Sequence, residues 1–251
     1  MTSSNETHPH EYCARVRWLI GFLGSHCLLP PAQPREVAPF HGSGQDLLRL
    51  AIEHHVLPLV YRGLSTVAGH PGQELLTACA TTFFEVVARN IVLERELFRL
   101  LAKLESGGIP ALPFKGPALG QMAYGDTLQR QYDDLDLLIE RANIAGARDL
   151  LVAEGYEPVH ALTARELAFQ IRNGWDICLR HKETGIPVEL GSTLVPYPYA
   201  VDIAASDLFP LAARGPCGPG DALVLPPPVV LVCLCVHAGN HRWQRVGGRC
   251  D

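Results

Sequence analysis

The chain has 251 residues, 47% of them hydrophobic, which is enough for one compact domain or two small ones with a packed core. Its net charge is -5 and its pI is about 6.1, so it has no global basic signature for a long nucleic acid. The first residues lack a basic-then-apolar leader pattern, and the apolar run 229–236 is too short to span a bilayer. The eight cysteines form no C-x-x-C pair, so we expect a cytoplasmic protein with reduced thiols and no membrane segment.

Helical spacing of apolar residues dominates the first hundred residues. It predicts a short helix at 15–23, a second helix after Gly44 and a long helix from 73 to 105. Gly107-Gly108 then ends the long helix. We therefore predict a mainly helical N-terminal region over residues 1–106.

The pattern changes to short strands and helices after residue 106. Extended runs are predicted at 109–114, 135–139, 156–160, 175–181 and 186–190, with helices at 118–124 and 145–154. Pro110 and Pro113 predict that the first run is an edge strand. Residues 213–228 are predicted to form a loop and 229–243 a helix. We divide this part into a core over 107–212 and a C-terminal segment over 213–251.

The most informative segment is the acidic run at the start of the strand 135–139. Side chains alternate across a strand, so Asp134 and Asp136 are predicted to share one face, about 7 Å apart along the chain. Two adjacent carboxylates repel each other and are typical of a cation site, for which Mg²⁺ is suited. The alternative is a polar strand end at the surface. We interpret Asp133 and Asp176 as supporting or surface residues rather than ligands.

A third acid lies much later in the chain. In the run 186–190 the apolar side chains share one face and Glu189 points to the other. Two divalent ions about 3.5–4 Å apart can activate an attacking hydroxyl and stabilise a leaving phosphate oxygen. We predict that Asp134 and Asp136 bridge such ions, Mg²⁺ or Mn²⁺, and that Glu189 completes the site of the ion that activates the nucleophile.

Two basic positions near the acids are candidates for phosphate binding. Lys115-Gly116 ends a strand and opens a helix, where a glycine and a helix N-terminus favour close approach of a phosphate. Arg130 could bind a phosphate with two parallel hydrogen bonds. The alternative for Lys115 and Arg130 is that they are solvated surface charges.

The segment 112–138 resembles the uncharacterised bacterial nucleotidyltransferase-like proteins of the polymerase-β superfamily. Their usual pattern is an apolar strand, Lys-Gly, a helix ending near a Tyr, then Arg and Asp-Ile-Asp-Leu-Leu-Val. The matching residues here are Leu112-Pro113-Phe114-Lys115-Gly116, Met122-Ala123-Tyr124, Arg130 and Asp134-Leu135-Asp136-Leu137-Leu138. The flanks are similar too: Leu48–Leu64 resembles the N-terminal helical region, Val188-Glu189-Leu190 matches the third acid, and His237, His241, Trp243 and Asp251 resemble the C-terminal helices.

The resemblance implies an α+β fold, with a small mixed sheet flanked by an N-terminal helical region and a truncated C-terminal helical region. It implies an enzyme that transfers a nucleoside monophosphate from an NTP, expected to be ATP, to an unknown hydroxyl of a small molecule, peptide or protein. Asp134, Asp136 and Glu189 would be catalytic and metal-binding, and Lys115, Gly116 and Arg130 would bind the nucleotide. A long nucleic acid is not the expected partner, because the chain is acidic.

The chain departs from the family pattern at the third acid. The family often has Asp followed by Leu-His-Trp, whereas here Glu189 is followed by Leu190-Gly191-Ser192. The family also continues past the position of Asp251, so we expect a fragment of a longer protein. An alternative function is therefore a degenerate enzyme that serves as a nucleotide-binding or interaction module.

Overall fold

The computed structural model describes residues 9–26, 39–67, 70–195 and 203–240. The described residues form two compact units, and the division between them falls between Val87 and Ala88. His241, Trp243 and Asp251, which the sequence assigns to the C-terminal helical region, lie outside the described residues. The predicted domain boundaries at 106/107 and 212/213 stay predictions.

The first unit is helical. Its elements are α1 (Pro9–His26), α2 (Gly44–Glu53), α3 (Leu57–Ser65) and the first part of α4 (His70–Ser106). Ser43 starts α2 with a capping box, in which its hydroxyl accepts from the Asp46 amide and Asp46 accepts from the Ser43 amide. The apolar side chains of Leu47, Leu57 and Leu64 are buried, so amphipathic packing stabilises these short helices.

The second unit combines the rest of α4 with two sheets. Its further elements are β1 (Ala111–Pro113), α5 (Gly116–Tyr124), β2 (Leu135–Ile139), α6 (Ile144–Ala153), β3 (Tyr156–Pro158), α7 (Ala164–Arg172), β4 (Ile177–His181), β5 (Pro187–Gly191), α8 (Ala205–Leu208), β6 (Ala213–Cys217), β7 (Gly220–Val224) and α9 (Pro227–Asn240). This composition confirms the predicted α+β fold class.

The main sheet has five strands in the order β1-β2-β5-β4-β3. β2 and β5 are parallel, and the other neighbouring pairs are antiparallel, so the sheet is mixed. One face carries Leu135, Leu137, Val188 and Leu190, which pack in a single core with side chains of α4 and α6. Because side chains alternate along a strand, Asp136 and Glu189 are directed to the opposite face.

Two elements differ from the sequence prediction. Residues 213–224, predicted to be loop, form the β6–β7 hairpin, whose two-residue turn contains Gly218 at φ +64°. The Gly and Pro content concealed this hairpin, because both residues are ordinarily depleted in strands. Helix α7 was not predicted, although Thr163 and Glu166 form the capping box that announces its start.

One stretch, Gly72–Ser106 in α4, is long and apolar enough to cross a membrane by length and composition alone. A single such helix does not indicate a membrane protein, because the core helix of a soluble protein satisfies the same criteria. Leu93, Leu97, Leu100 and Leu104 of this helix are buried in the core of the second unit, whereas only 11% of its most apolar 18-residue window is buried.

Candidate metal centre

Three carboxylates meet on the polar face of the main sheet. Asp134, Asp136 and Glu189 each offer one oxygen, and these three oxygens lie within 4.8 Å of one another. All three residues are partly buried. Oxygen donors at this spacing fit a hard divalent cation such as Mg²⁺, which binds through a few carboxylates and retains water or phosphate ligands.

Strand register brings the triad together. Asp136 on β2 lies directly opposite Glu189 on β5, and parallel pairing directs both side chains to one face. Asp134 lies one residue before β2 begins, two positions from Asp136, and therefore joins the same cluster. Residues 53 positions apart in sequence thus become neighbours through one pair of parallel strands.

Lys115 provides a buried positive charge beside the triad. It lies between β1 and α5, is only 4% exposed, and its Nζ lies 3.3 Å from Asp136 Oδ1. The Phe114 amide also donates to the Asp136 carbonyl oxygen, which holds the segment before α5 against β2. Lys115 is therefore not the solvated surface charge considered from the sequence.

Gly116 opens α5 with a backbone conformation that favours glycine. Its φ is +48°, a left-handed value that a side chain with a Cβ rarely adopts. A Cβ at this position would meet its nearest atoms at 3.9 Å, so space does not explain the glycine. Lys115 makes no side-chain cap at the start of α5, and Pro117 follows within the first turn.

The segment before β2 is anchored on α4. Asn90, fully buried, donates from Nδ2 to the Arg130 carbonyl oxygen at 2.7 Å, and the Tyr132 hydroxyl donates to the Asn90 carbonyl oxygen. Arg89 donates to the Asp133 carbonyl oxygen at 3.0 Å. These bonds determine where Asp134 enters the site. Arg130 is itself 7% exposed, and Asp133 is exposed at the surface, as expected for a supporting residue.

Glu189 has a thiol beside it. Cys178 on β4 is its cross-strand partner, and Cys178 Sγ lies 3.6 Å from Glu189 Oε1. Burial, and then the negative charges of Glu189 and Asp176, raise the pKa of the Cys178 thiol to about 12. The thiol is therefore protonated at neutral pH and can donate a weak hydrogen bond to the carboxylate. Cys178 and the other described cysteines are free thiols.

Asp176 lies near the triad, as its position on the hairpin predicted from the sequence allowed. The pKa of Asp176 is raised to about 7, first by loss of water around it and then by the charges of Glu189 and Asp136, while Lys115 opposes the shift. The antiparallel pairing of β4 with β5 produces this proximity.

A cavity lined by α4, β1 and the β6–β7 hairpin lies away from the triad. Its volume is about 440 Å³, and Phe98, Leu101, Ile109, Arg214 and Leu223 are among its lining residues. None of the three carboxylates lines it. Its size alone therefore does not make it the site of the chemistry.

The mixed sheet and the carboxylate triad define an α+β protein with a candidate centre for divalent-metal chemistry. The sequence profile of a family described as uncharacterised nucleotidyltransferases matches residues 43–251, so the chain belongs to that family. The protein is therefore a nucleotidyltransferase in general terms, as predicted. A search of curated proteins finds no match.

Proposed function

We propose that the protein transfers a nucleoside monophosphate from an NTP, expected to be ATP, to a hydroxyl group of a small molecule, peptide or protein in the cytoplasm. The observation that carries the proposal is the convergence of Asp134, Asp136 and Glu189 within 4.8 Å on one face of the sheet. A divalent cation bound there, Mg²⁺ or Mn²⁺, would neutralise phosphate charge and activate the attacking oxygen.

Lys115, Gly116 and Arg130 are the proposed nucleotide-binding residues. The Lys115 ammonium lies 3.3 Å from Asp136, so a triphosphate drawn to that cation would be held directly beside the triad. The start of α5 at Gly116 adds the partial positive charge of a helix N-terminus. Arg130 directly follows the 3-10 helix Thr127–Gln129, which Asp126 caps. The Arg130 side chain is buried, so water would screen an ion pair between its guanidinium and a phosphate only weakly.

The proposed reaction exchanges a phosphoanhydride bond of the NTP for a phosphodiester bond to the acceptor. The acceptor oxygen bonds to the α-phosphorus, the bond from that phosphorus to the oxygen bridging the β-phosphorus breaks, and pyrophosphate leaves. The hydroxyl proton passes to solvent. The alternative, a module that binds a nucleotide without transferring it, has the same binding residues but no product. The complete triad supports the enzyme over this alternative.

The test uses NTPs labelled at the α- or the γ-phosphate, incubated with purified protein, Mn²⁺ and a cell extract. We expect the α label, and not the γ label, to become attached to an acceptor. Asp134→Asn combined with Asp136→Asn should abolish this transfer, whereas Asp221→Asn, at an exposed position on β7, should not. A wild type that gains no thermal stability with Mn²⁺-NTP and attaches no label would refute the proposal. Binding without attached label would instead support the non-catalytic module.

A further inference from the structure

A small cavity lies at the side of the main sheet where β4 and β3 pair. Its volume is about 50 Å³. Polar and apolar side chains from α6, α7, β4 and the segment between β3 and α7 line it, including Arg148, His160, Leu162, Gln170, Asp176 and Cys178. The proposed function as stated above does not use this cavity.

The cavity adjoins the Glu189 side of the triad. Cys178, one of its lining residues, lies 3.6 Å from Glu189 Oε1, and Asp176 precedes Cys178 by two residues on the same face. Gly191 leaves room for Asp176, because a Cβ there would lie only 2.7 Å from Asp176 Oδ1.

The order of the strands separates the two ends of the site. Lys115 follows β1, Asp136 is on β2, Glu189 is on β5, and Cys178 is on β4, in the spatial order β1-β2-β5-β4. Neighbouring strands lie about 4.8 Å apart, so the backbones of β1 and β4 are about 14 Å apart across this row. The cation proposed for the triphosphate follows β1, and the cavity, which Arg148, Gln170 and Asp176 help to line, adjoins β4.

We propose that this cavity is the acceptor subsite and that it admits a slim aliphatic hydroxyl group, such as a serine or threonine side chain or the CH₂OH of a sugar. This inference rests on the proposed nucleotidyl transfer. A water molecule needs about 10–15 Å³, so a cavity of about 50 Å³ holds a few heavy atoms and excludes a phenol ring or a nucleobase. Leu162 contacts the aliphatic carbon, while Asp176 and Gln170 are available to hydrogen-bond the hydroxyl.

The experiment fills the cavity without touching the triad. Gln170→Trp places an indole in the cavity, and Arg165→Trp makes the matched change at an exposed position of the same helix. Asp176→Asn is a near-isosteric second variant that does not depend on how the larger side chain packs. Each variant is assayed for thermal stabilisation by Mn²⁺-NTP and for attachment of the α label in extract, and mass spectrometry identifies the labelled group.

We expect all three variants to retain stabilisation by Mn²⁺-NTP. Gln170→Trp should transfer at least tenfold less label, Asp176→Asn should transfer less, and Arg165→Trp should resemble wild type. Label on an aliphatic hydroxyl supports the inference. Wild-type transfer by both Gln170→Trp and Asp176→Asn, or label on a tyrosine phenol, would overturn it while the proposed function stands. A wild type that neither binds Mn²⁺-NTP nor transfers label would overturn both.

Discussion

Neutralising Asp136 should separate stability from function. Its carboxylate faces two like charges, Asp134 and Glu189, with oxygens within 4.8 Å, and one opposite charge, the Lys115 ammonium at 3.3 Å. At an effective dielectric constant of about 20, each repulsion costs about 3.5 kcal/mol and the attraction contributes about 5 kcal/mol. The two repulsions therefore exceed the attraction by about 2 kcal/mol. We expect Asp136→Asn to raise the free energy of unfolding of the metal-free protein by about 1–2 kcal/mol after solvent screening.

The same substitution should remove the response to metal. A cation present at about 100 times its dissociation constant stabilises the native state by about 2.7 kcal/mol. For a chain of this length that corresponds to a rise in Tm of about 5–10 °C. Thermal and urea unfolding with EDTA or Mn²⁺ measure both effects, and Asp221→Asn serves as the control. A destabilised EDTA form of Asp136→Asn would contradict the charge balance, and a full Mn²⁺ response in that variant would show that the triad is not a cation site.

Two further predictions concern buried polar pairs. Lys115→Met keeps a long unbranched side chain but removes the cation beside Asp136, so it should lower the free energy of unfolding of the metal-free protein by about 3–5 kcal/mol. Mn²⁺ should restore part of this lost stability. The control Lys103→Met, at a more exposed ion pair, should cost about 0–1 kcal/mol. Equal losses for the two variants in urea unfolding would contradict this prediction. Hydrogen bonds from Arg99 and Tyr156 hold the pKa of Glu96 below its usual range, so ionised Glu96 stabilises the fold above pH of about 4.3 and loses this effect as pH falls through its folded pKa. Tyr156→Phe should therefore cost about 1.5–3 kcal/mol in urea unfolding at pH 7 and less at pH 3, and an equal cost at both would argue against the bond.

Local sequence patterns predicted the bounds of an element wherever its apolar residues have a strong periodicity or its ends carry turn residues. The strand at 135–139 was predicted with the bounds that the structure has, because an apolar run follows the acids directly. The long helix was predicted at 73–105 and is observed at His70–Ser106. The prediction of a loop at residues 213–224 was wrong. Their Gly and Pro residues favour loops, and the two strands form only because 213–217 pair with 220–224. Pairing of this kind is not visible in local propensity.

The sequence by itself determined the class of the protein and the identity of its candidate ligands. Alternation along a strand was enough to place Asp134 and Asp136 together and to single out Glu189, which the resemblance then matched to the third acid. The tertiary structure alone decided that the parallel register sets Asp136 opposite Glu189, and that Lys115 is buried beside them. It also placed Asp176 near the triad through the pairing of β4 with β5, which the hairpin predicted from the sequence had allowed. The sequence gives the chemical type of each side chain directly, whereas the distances between these side chains depend on how the strands pair.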